Sequence, residues 1–297
     1  MLLPFLPAIQ RGNIKVLAGC ITLIENQASG SLDLLKELPA SKTPLIGITG
    51  PPGVGKSSIV NALTGEFLKQ QKKIAILCVD PSSPFHRGAL LGDRIRMNQW
   101  AEHPDVYIRS LASRGSLGGL HPRIFEITDL LRAAPFDYIL VETVGIGQSE
   151  LEITSLADLT IVVLMPGSGD EIQAMKAGMM EIADLFVVNK SDNAGSKQFI
   201  KDLQSALHFR AKKTDIIETI ATENKGIELL AAAIEKQLDS ISQKEPRNLT
   251  EKAFRLILAG KMKQIDREDL LAKIQQQMPA GNFNIYRFVE NYLSADH

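Results

Sequence analysis

The chain has 297 residues, 44% hydrophobic and 23% charged, which fits one large globular domain or one domain with extensions and excludes a disordered or fibrous chain. Its 33 Lys and Arg against 34 Asp and Glu leave a net charge of −1, without the basic surplus that a general nucleic-acid or anionic-membrane binder needs. Two cysteines, Cys20 and Cys78, lie far apart and outside any metal-ligand spacing, so no disulfide framework or structural zinc site is expected, and the compartment reads as a reducing cytoplasm.

Met1–Ile9 is apolar, but it has two prolines and no preceding basic residue. It reads as a short arm packed on the body rather than a signal peptide. No apolar run reaches bilayer-spanning length. Residues 11–26 carry Ile14, Leu17, Ala18, Ile21 and Ile24 at helical spacing, and a second short helix runs through Leu34, Leu35 and Leu38. Pro39–Pro44 links this N-terminal helical extension, residues 1–43, to the body of the chain.

From there the pattern changes. Short apolar runs alternate with helical stretches: Leu45–Thr49, Ile74–Val79, Val106–Ile108, Tyr138–Val141, Leu159–Leu164, Leu185–Val188 and Asp215–Ile220. Most are apolar throughout, as strands buried on both faces are. With helical crossovers between them, residues 44–240 are expected to form an α/β three-layer fold around a mostly parallel sheet. Beyond about 240 the strands stop. Leu249–Gln277 reads as a long polar-faced helix with a break near Gly260, and Phe283, Tyr286, Phe288, Val289 and Tyr292 come next at helical spacing. Residues 241–297 form a C-terminal helical arm suited to self-association.

Gly50-Pro51-Pro52-Gly53-Val54-Gly55-Lys56-Ser57 matches GxxxxGK[ST], after a strand and before a helix, Ser58–Leu68. Glycines in such a loop turn backbone N–H groups toward phosphate, and the helix N-terminus adds partial positive charge. Lys56 is expected on the β- and γ-phosphates and Ser57 on Mg²⁺. Asn189-Lys190-Ser191-Asp192 ends a later strand. The Asp192 carboxylate can accept from both the ring N–H and the exocyclic amine of guanine, a pair that adenine lacks, so the nucleotide is expected to be GTP or GDP. After the last strand stands Ile220-Ala221, where many GTPases have Ser-Ala; the Ala221 amide can still reach the guanine carbonyl.

Val141-Glu142-Thr143-Val144-Gly145 occupies the metal-side strand end, with Glu142 where most GTPases have Asp. Gly145 would let the backbone approach the γ-phosphate, and Gly145, Gly147 and Gln148 make a segment able to respond to it. Asp80 closes the second strand at the sheet edge where ligands bind, and the chain then runs to Gly92-Asp93-Arg94. Ser168 and Glu171 form a capping box before Gln173 and Lys176. The five histidines show no metal-ligand spacing, and Cys78 reads as a small buried apolar residue.

The succession GPPGVGKS, VDPSSP, GDRIRM, GSLGGL, ETVGIGQSE, MPGSGDEIQAMKAG and NKSD resembles the MeaB/ArgK family of P-loop GTPases, from about Ile14 through the final helix. The resemblance implies a G-protein chaperone that gates cofactor loading and protects an adenosylcobalamin-dependent acyl-CoA mutase of the methylmalonyl-CoA mutase type. It implies a homodimer held by the C-terminal arm, while the charge balance leads us to expect neither nucleic-acid nor membrane partners. Position by position, it implies that Gly50, Pro52, Gly53, Val54, Gly55, Lys56, Ser57, Ser58, Gly145, Asn189, Lys190, Asp192 and Ala221 bind nucleotide. Asp80, Asp93 and Glu142 would cluster around Mg²⁺ and the attacking water, with Ser57, Asp93 and Glu142 holding the metal. Asp93 would fall in a first switch, Gly145–Glu150 with Gln148 in a second, and Met165–Lys176 in a third, where Gln173 and Lys176 turn toward the nucleotide. Two other readings stay open: a kinase acting on a transport binding protein, which would need adenine preference, and a nickel-insertion GTPase, which would need a Cys/His site.

Overall fold

A computed structural model describes residues 5–80, 98–113, 120–143, 149–167, 179–208, 214–241, 247–263, 265–277 and 284–294. The chain divides into two compact units, Met1–Glu245 and Pro246–His297.

In the first unit three helices come first, α1 (Phe5–Gln10), α2 (Ile14–Glu25) and α3 (Ser31–Lys36). Strand β1 (Leu45–Thr49) leads into α4 (Lys56–Lys69) and β2 (Ile74–Asp80) comes after it. Then come β3 (Val106–Ala112), α5 (Ile124–Arg132), β4 (Tyr138–Glu142), α6 (Ser149–Leu156), β5 (Leu159–Leu164), β6 (Leu185–Asn189), α7 (Ser196–Leu207), β7 (Asp215–Thr219) and α8 (Ile227–Ile241). Every expected strand is present. The seven form one sheet in the order β3-β2-β4-β1-β5-β6-β7, and every pairing is parallel.

Burial follows that order. Strands β1, β4, β5 and β6 are buried at every residue, while the edge strands β3 and β7 are partly open. One face is covered by α4 and α8, whose Ile59, Leu63, Phe67, Ile227, Leu230 and Ile234 join Ile46, Ile48 and Leu140 of the sheet. Against the other face Ile9, Leu17, Ile21 and Ile24 of α1 and α2 meet Leu130 of α5 and Ile139 and Val141 of β4. The N-terminal helices are therefore part of a sheet-covering layer. An ion pair between Arg109 on β3 and Glu25 on α2 ties them to the sheet edge. From Phe5 on, the N-terminal arm is a helix; Pro7 stands in its first turn, where a missing N–H costs no helical bond.

The topology places the functional edge. The chain leaves β1 toward β2 on one side, and leaves β4 toward β5 on the other. The loops after β1 and β4 thus sit together at the carboxyl ends of the strands, where such sheets open a crevice for ligands.

The second unit holds α9 (Arg247–Lys263), α10 (Arg267–Gln277) and α11 (Ile285–Ser294). The break expected near Gly260 falls instead between Lys263 and Arg267. Asp266 Oδ1 accepts the Glu268 amide at 2.8 Å and starts α10. A side-chain cap redirects the chain, whereas a helical glycine only weakens a helix by about 1 kcal/mol. Asn284 caps α11 in the same way, at 3.0 Å to the Tyr286 amide, and Lys273 lies over the Tyr292 ring at 5.2 Å. Among the described residues no helix is long and apolar enough to cross a membrane.

Candidate functional site

The loop from Gly50 to Gly55 joins β1 to α4 and depends on its glycines. Gly50 has φ +139°, and a Cβ there would lie 2.1 Å from the Val163 carbonyl oxygen on β5. Gly55 has φ +94°, and its Cβ would lie 2.4 Å from Nδ2 of Asn189. Only glycine takes these dihedrals without strain and also leaves the space. The loop is therefore pressed against β5 on one side and against the end of β6 on the other.

Lys56 opens α4 and is 6% exposed. Its Nζ donates to the carbonyl oxygens of Gly50 and Pro51, both at 2.9 Å, so the ammonium is held across the loop. One residue on, Ser57 Oγ donates to Glu142 Oε1 at 2.6 Å, bridging the start of α4 to the end of β4. Beside them Thr143 Oγ1 pairs with Thr49 Oγ1 at 2.9 Å, and the Thr143 amide donates to the Ile48 carbonyl at 3.0 Å, fixing where β4 leaves the sheet. Lys56, Ser57, Glu142 and Thr143 border an open cleft of about 470 Å³, along with Pro52, Gly53, Gly55, Ser58, Cys78, Val79 and Lys190. Cys78 is 1% exposed, as a small buried residue. Loop amides, a helix N-terminus and an ammonium converge here, which is the arrangement that binds a phosphate chain. A hydroxyl and a carboxylate oxygen at hydrogen-bond distance are hard oxygen donors of the kind Mg²⁺ takes together with phosphate and water. Among the described residues no group of three or more His, Cys, Asp or Glu could hold a metal alone.

Asn189 is 2% exposed, and both ends of its amide make hydrogen bonds. Nδ2 donates to the Val54 carbonyl at 2.9 Å, while Oδ1 accepts from Thr219 Oγ1 and from the Ala221 amide, each at 3.1 Å. One side chain thus ties the phosphate loop to the ends of β6 and β7. The Ala221 amide, expected to face a guanine carbonyl, is donated to Asn189 in this structure. Lys190 has φ +55° and reaches back to the Gly53 carbonyl at 3.0 Å. Asp192 is exposed in the next turn. It helps to raise the Lys225 pKa, after the larger effects of Lys225's hydrogen bond to Glu223 and Glu223's charge, and so lies near the loop after β7. That loop is closed by reciprocal hydrogen bonds between Ile220 and Lys225, at 3.1 and 3.2 Å.

Gly50, Pro52, Gly53, Val54, Gly55, Lys56, Ser57, Ser58, Glu142, Asn189, Lys190, Asp192 and Ala221 all lie at this one edge of the sheet, in the loops, the start of α4 and the ends of β4 and β6. Asp80 ends β2 there, in register with Ala112; its side chain lies outside the described residues. Asp93, Gly145, Gln148, Gln173 and Lys176, with the capping box at Ser168, also lie outside them. Thr219 carries no motif that sequence reasoning could single out. Its one signal is its place as a polar residue ending a strand at the ligand edge, two positions before Ala221.

Residues 17–279 match the family model described as "Methylmalonyl Co-A mutase-associated GTPase MeaB". A protein of Pyrococcus abyssi named as a GTPase is 36% identical over 291 residues, covering 91% of this chain and 90% of its own. The mitochondrial methylmalonic aciduria type A homolog of Caenorhabditis elegans is 36% identical over 229 residues, 70% of this chain and 57% of that protein. Among solved structures, one titled LAO/AO transport system kinase superposes with TM-score 0.68 at 25% identity, covering 98% of this chain and 90% of that one. With the phosphate loop, the Glu142–Ser57 bridge and the guanine-type turn assembled at one sheet edge, the chain belongs to the MeaB family of P-loop GTPases.

Proposed function

We propose that this GTPase is a G-protein chaperone whose nucleotide state gates cofactor loading into, and protection of, an adenosylcobalamin-dependent acyl-CoA mutase of the methylmalonyl-CoA mutase type. The family description and the name of the nematode relative support the mutase link. The observation that carries the switching is Asn189: phosphate loop and base loops share one buried amide, so engagement of the base and of the phosphates is mechanically coupled.

GTP binding would place the triphosphate along the Gly50–Ser57 loop, with Lys56 on the β- and γ-phosphates. Ser57 and Glu142, with Asp93, would hold Mg²⁺, which supplies charge neutralisation on the phosphates when bound. Asp80 completes the carboxylate set that orients water for attack on the γ-phosphate, giving GDP and phosphate. Asp192 would read the guanine edge, while the Lys190 stem, stretched toward Gly53, offers an apolar face to the base. Gln148, Gln173 and Lys176 belong to the segments that the partner would order.

Glu142→Gln keeps the shape and removes the charge. GTP hydrolysis is expected to fall roughly 10²-fold, by analogy with the loss of one transition-state contact, while GDP affinity changes only several-fold. A wild-type turnover number in single-turnover assays would take Glu142 out of the metal site.

The second unit supports self-association. On α9, Phe254, Ile257, Leu258 and Met262 follow helical spacing, and each is at least half exposed. A face of that kind is covered when two copies meet. The deciding experiment measures GTP hydrolysis with and without the host's cobalamin-dependent mutase. The expected result is stimulation of at least about tenfold, equivalent to about 1.4 kcal/mol of transition-state stabilisation. The same protein should show a dimer mass by light scattering. Equal rates with and without the mutase would remove the chaperone reading.

A further inference from the structure

Two residues on α4 look out of place. Asn61 and Gly65 are poor helix formers in the middle of a 14-residue helix, and Gly65 has no positive φ to require glycine. Both are accounted for by Trp100, the chain's single tryptophan. Its indole Nε1 donates to Asn61 Oδ1 at 2.8 Å, and the neighbouring Gln99 Nε2 donates to the same oxygen at 2.9 Å. The indole edge lies over Gly65, where a Cβ would come within 3.3 Å of Cζ2. His103 meets the ring edge-on at 6.1 Å, and the indole packs against the core cluster beneath α4. The contact is thus specified in three ways: an acceptor, a space and an apolar floor.

The position of Trp100 in the chain gives this contact its meaning. α4 begins with Lys56 and Ser57, so Asn61 stands about one turn behind the phosphate-binding residues. Trp100 lies in the short 3₁₀ turn Asn98–Trp100, which receives the chain coming from Asp80 through Asp93. Asn98 stands five positions after Asp93, and five steps of chain span at most about 18 Å. Anchoring the turn on α4 therefore limits where the Asp93 carboxylate can go relative to the phosphates. Among the described residues, the hydrogen bonds of Lys56 and Asn189 in the nucleotide site go to no residue of 98–103, so loss of the anchor is expected to act on turnover more than on affinity.

We propose that Asn61 and Gly65 form a dock for Trp100 on the phosphate-loop helix, and that the docked indole positions the Asp93-bearing chain for GTP hydrolysis. Asn61, Gly65 and Trp100 are positioning residues. The proposal rests on the reading of Asp93 as one of the hydrolytic carboxylates. The dock is read by intrinsic fluorescence, because one indole gives the whole tryptophan signal, and an indole released into water emits further to the red.

The test uses the full-length protein with Asn61→Leu, which removes the acceptor, Gly65→Leu, which fills the space, and Asn61→Asp, which keeps an oxygen for both donors. Asn61→Leu and Gly65→Leu are expected to shift emission to the red and to lower kcat about tenfold, as misplacement of a catalytic group does, with KM for GTP within about twofold of wild type. Asn61→Asp should restore both emission and kcat. A red shift without loss of kcat overturns the proposal. So does a loss shared equally by Asn61→Asp, a rise in KM that accounts for the whole effect, or unshifted emission in both leucine variants. Asp93→Asn in the same assay separates the two readings: full activity there removes Asp93 from the reaction, whatever the indole does.

Discussion

Lys56→Ala is expected to weaken GTP binding by roughly 10²–10³-fold, about 2.7–4 kcal/mol, with GDP affected nearly as strongly. The ammonium is almost fully withdrawn from water, and its two donor bonds to the Gly50 and Pro51 carbonyls leave it at the floor of the phosphate cleft. Those bonds hold the ammonium where the phosphates would meet it. The site is thus organised before the nucleotide arrives, and little binding energy is lost in arranging it. Alanine removes the charge and also the clasp that closes the loop on itself. Lys56→Arg should not rescue, since a planar guanidinium cannot occupy the same two-carbonyl seat. Isothermal titration with GDP and a non-hydrolysable GTP analogue measures the effect, and affinity within tenfold of wild type would displace Lys56 from the phosphates.

Much of the fold is legible in the sequence because burial on both faces leaves a plain mark. The apolar runs at Leu45, Ile74, Tyr138, Leu159 and Leu185 each form a strand of the parallel sheet. The phosphate loop is legible because its glycines answer backbone constraints that can be counted in the sequence. What patterning does not carry is the partner of each face. Ile14, Leu17, Ile21 and Ile24 announce an amphipathic helix, but not that it covers the sheet beside α5. Glycine is the conspicuous residue in the C-terminal arm, so the pattern puts the helix break at Gly260; the chain obeys the Asp266 cap instead.

The site shows the same division. The NKxD turn is recognisable from its order after the phosphate loop, which assigns Asn189 to guanine. Its amide also ties Val54, Thr219 and Ala221 together. A sequence gives residue types at a strand end but not their hydrogen-bond partners, which here come from the phosphate loop and from the end of β7. Thr219 escapes notice for that reason, since its role exists only through Asn189. The Trp100 dock is equally hidden: Asn61 and Gly65 look like ordinary weak spots in a helix until the indole is placed on them.

Of the NKxD side chains, only the Asp192 carboxylate can accept the two adjacent guanine donors, so discrimination of the base falls mainly on it. Asp192→Asn is expected to lower GTP affinity by at least about 10²-fold and to raise affinity for xanthosine triphosphate above it. Asp192 is exposed in the turn after β6 and, among the described residues, its carboxylate makes no hydrogen bond, so both oxygens are open to a ligand. Lys225, the nearby cation, makes its ion pair with Glu223 at 2.6 Å. Guanine offers a ring N–H and an amine side by side, and a carboxylate accepts both. An asparagine accepts one and turns a donor toward the other, leaving two donors opposed; sites built on such bonds discriminate by up to about 10⁴-fold. Xanthine carries an oxygen where guanine carries the amine, so the same asparagine donor finds an acceptor there. The exchange of preference distinguishes this role from a structural one, since a merely damaged loop would weaken both nucleotides together. Competition of GTP, xanthosine triphosphate and ATP for a fluorescent nucleotide measures it, and parallel loss of GTP and xanthosine triphosphate in the variant would move base recognition away from Asp192.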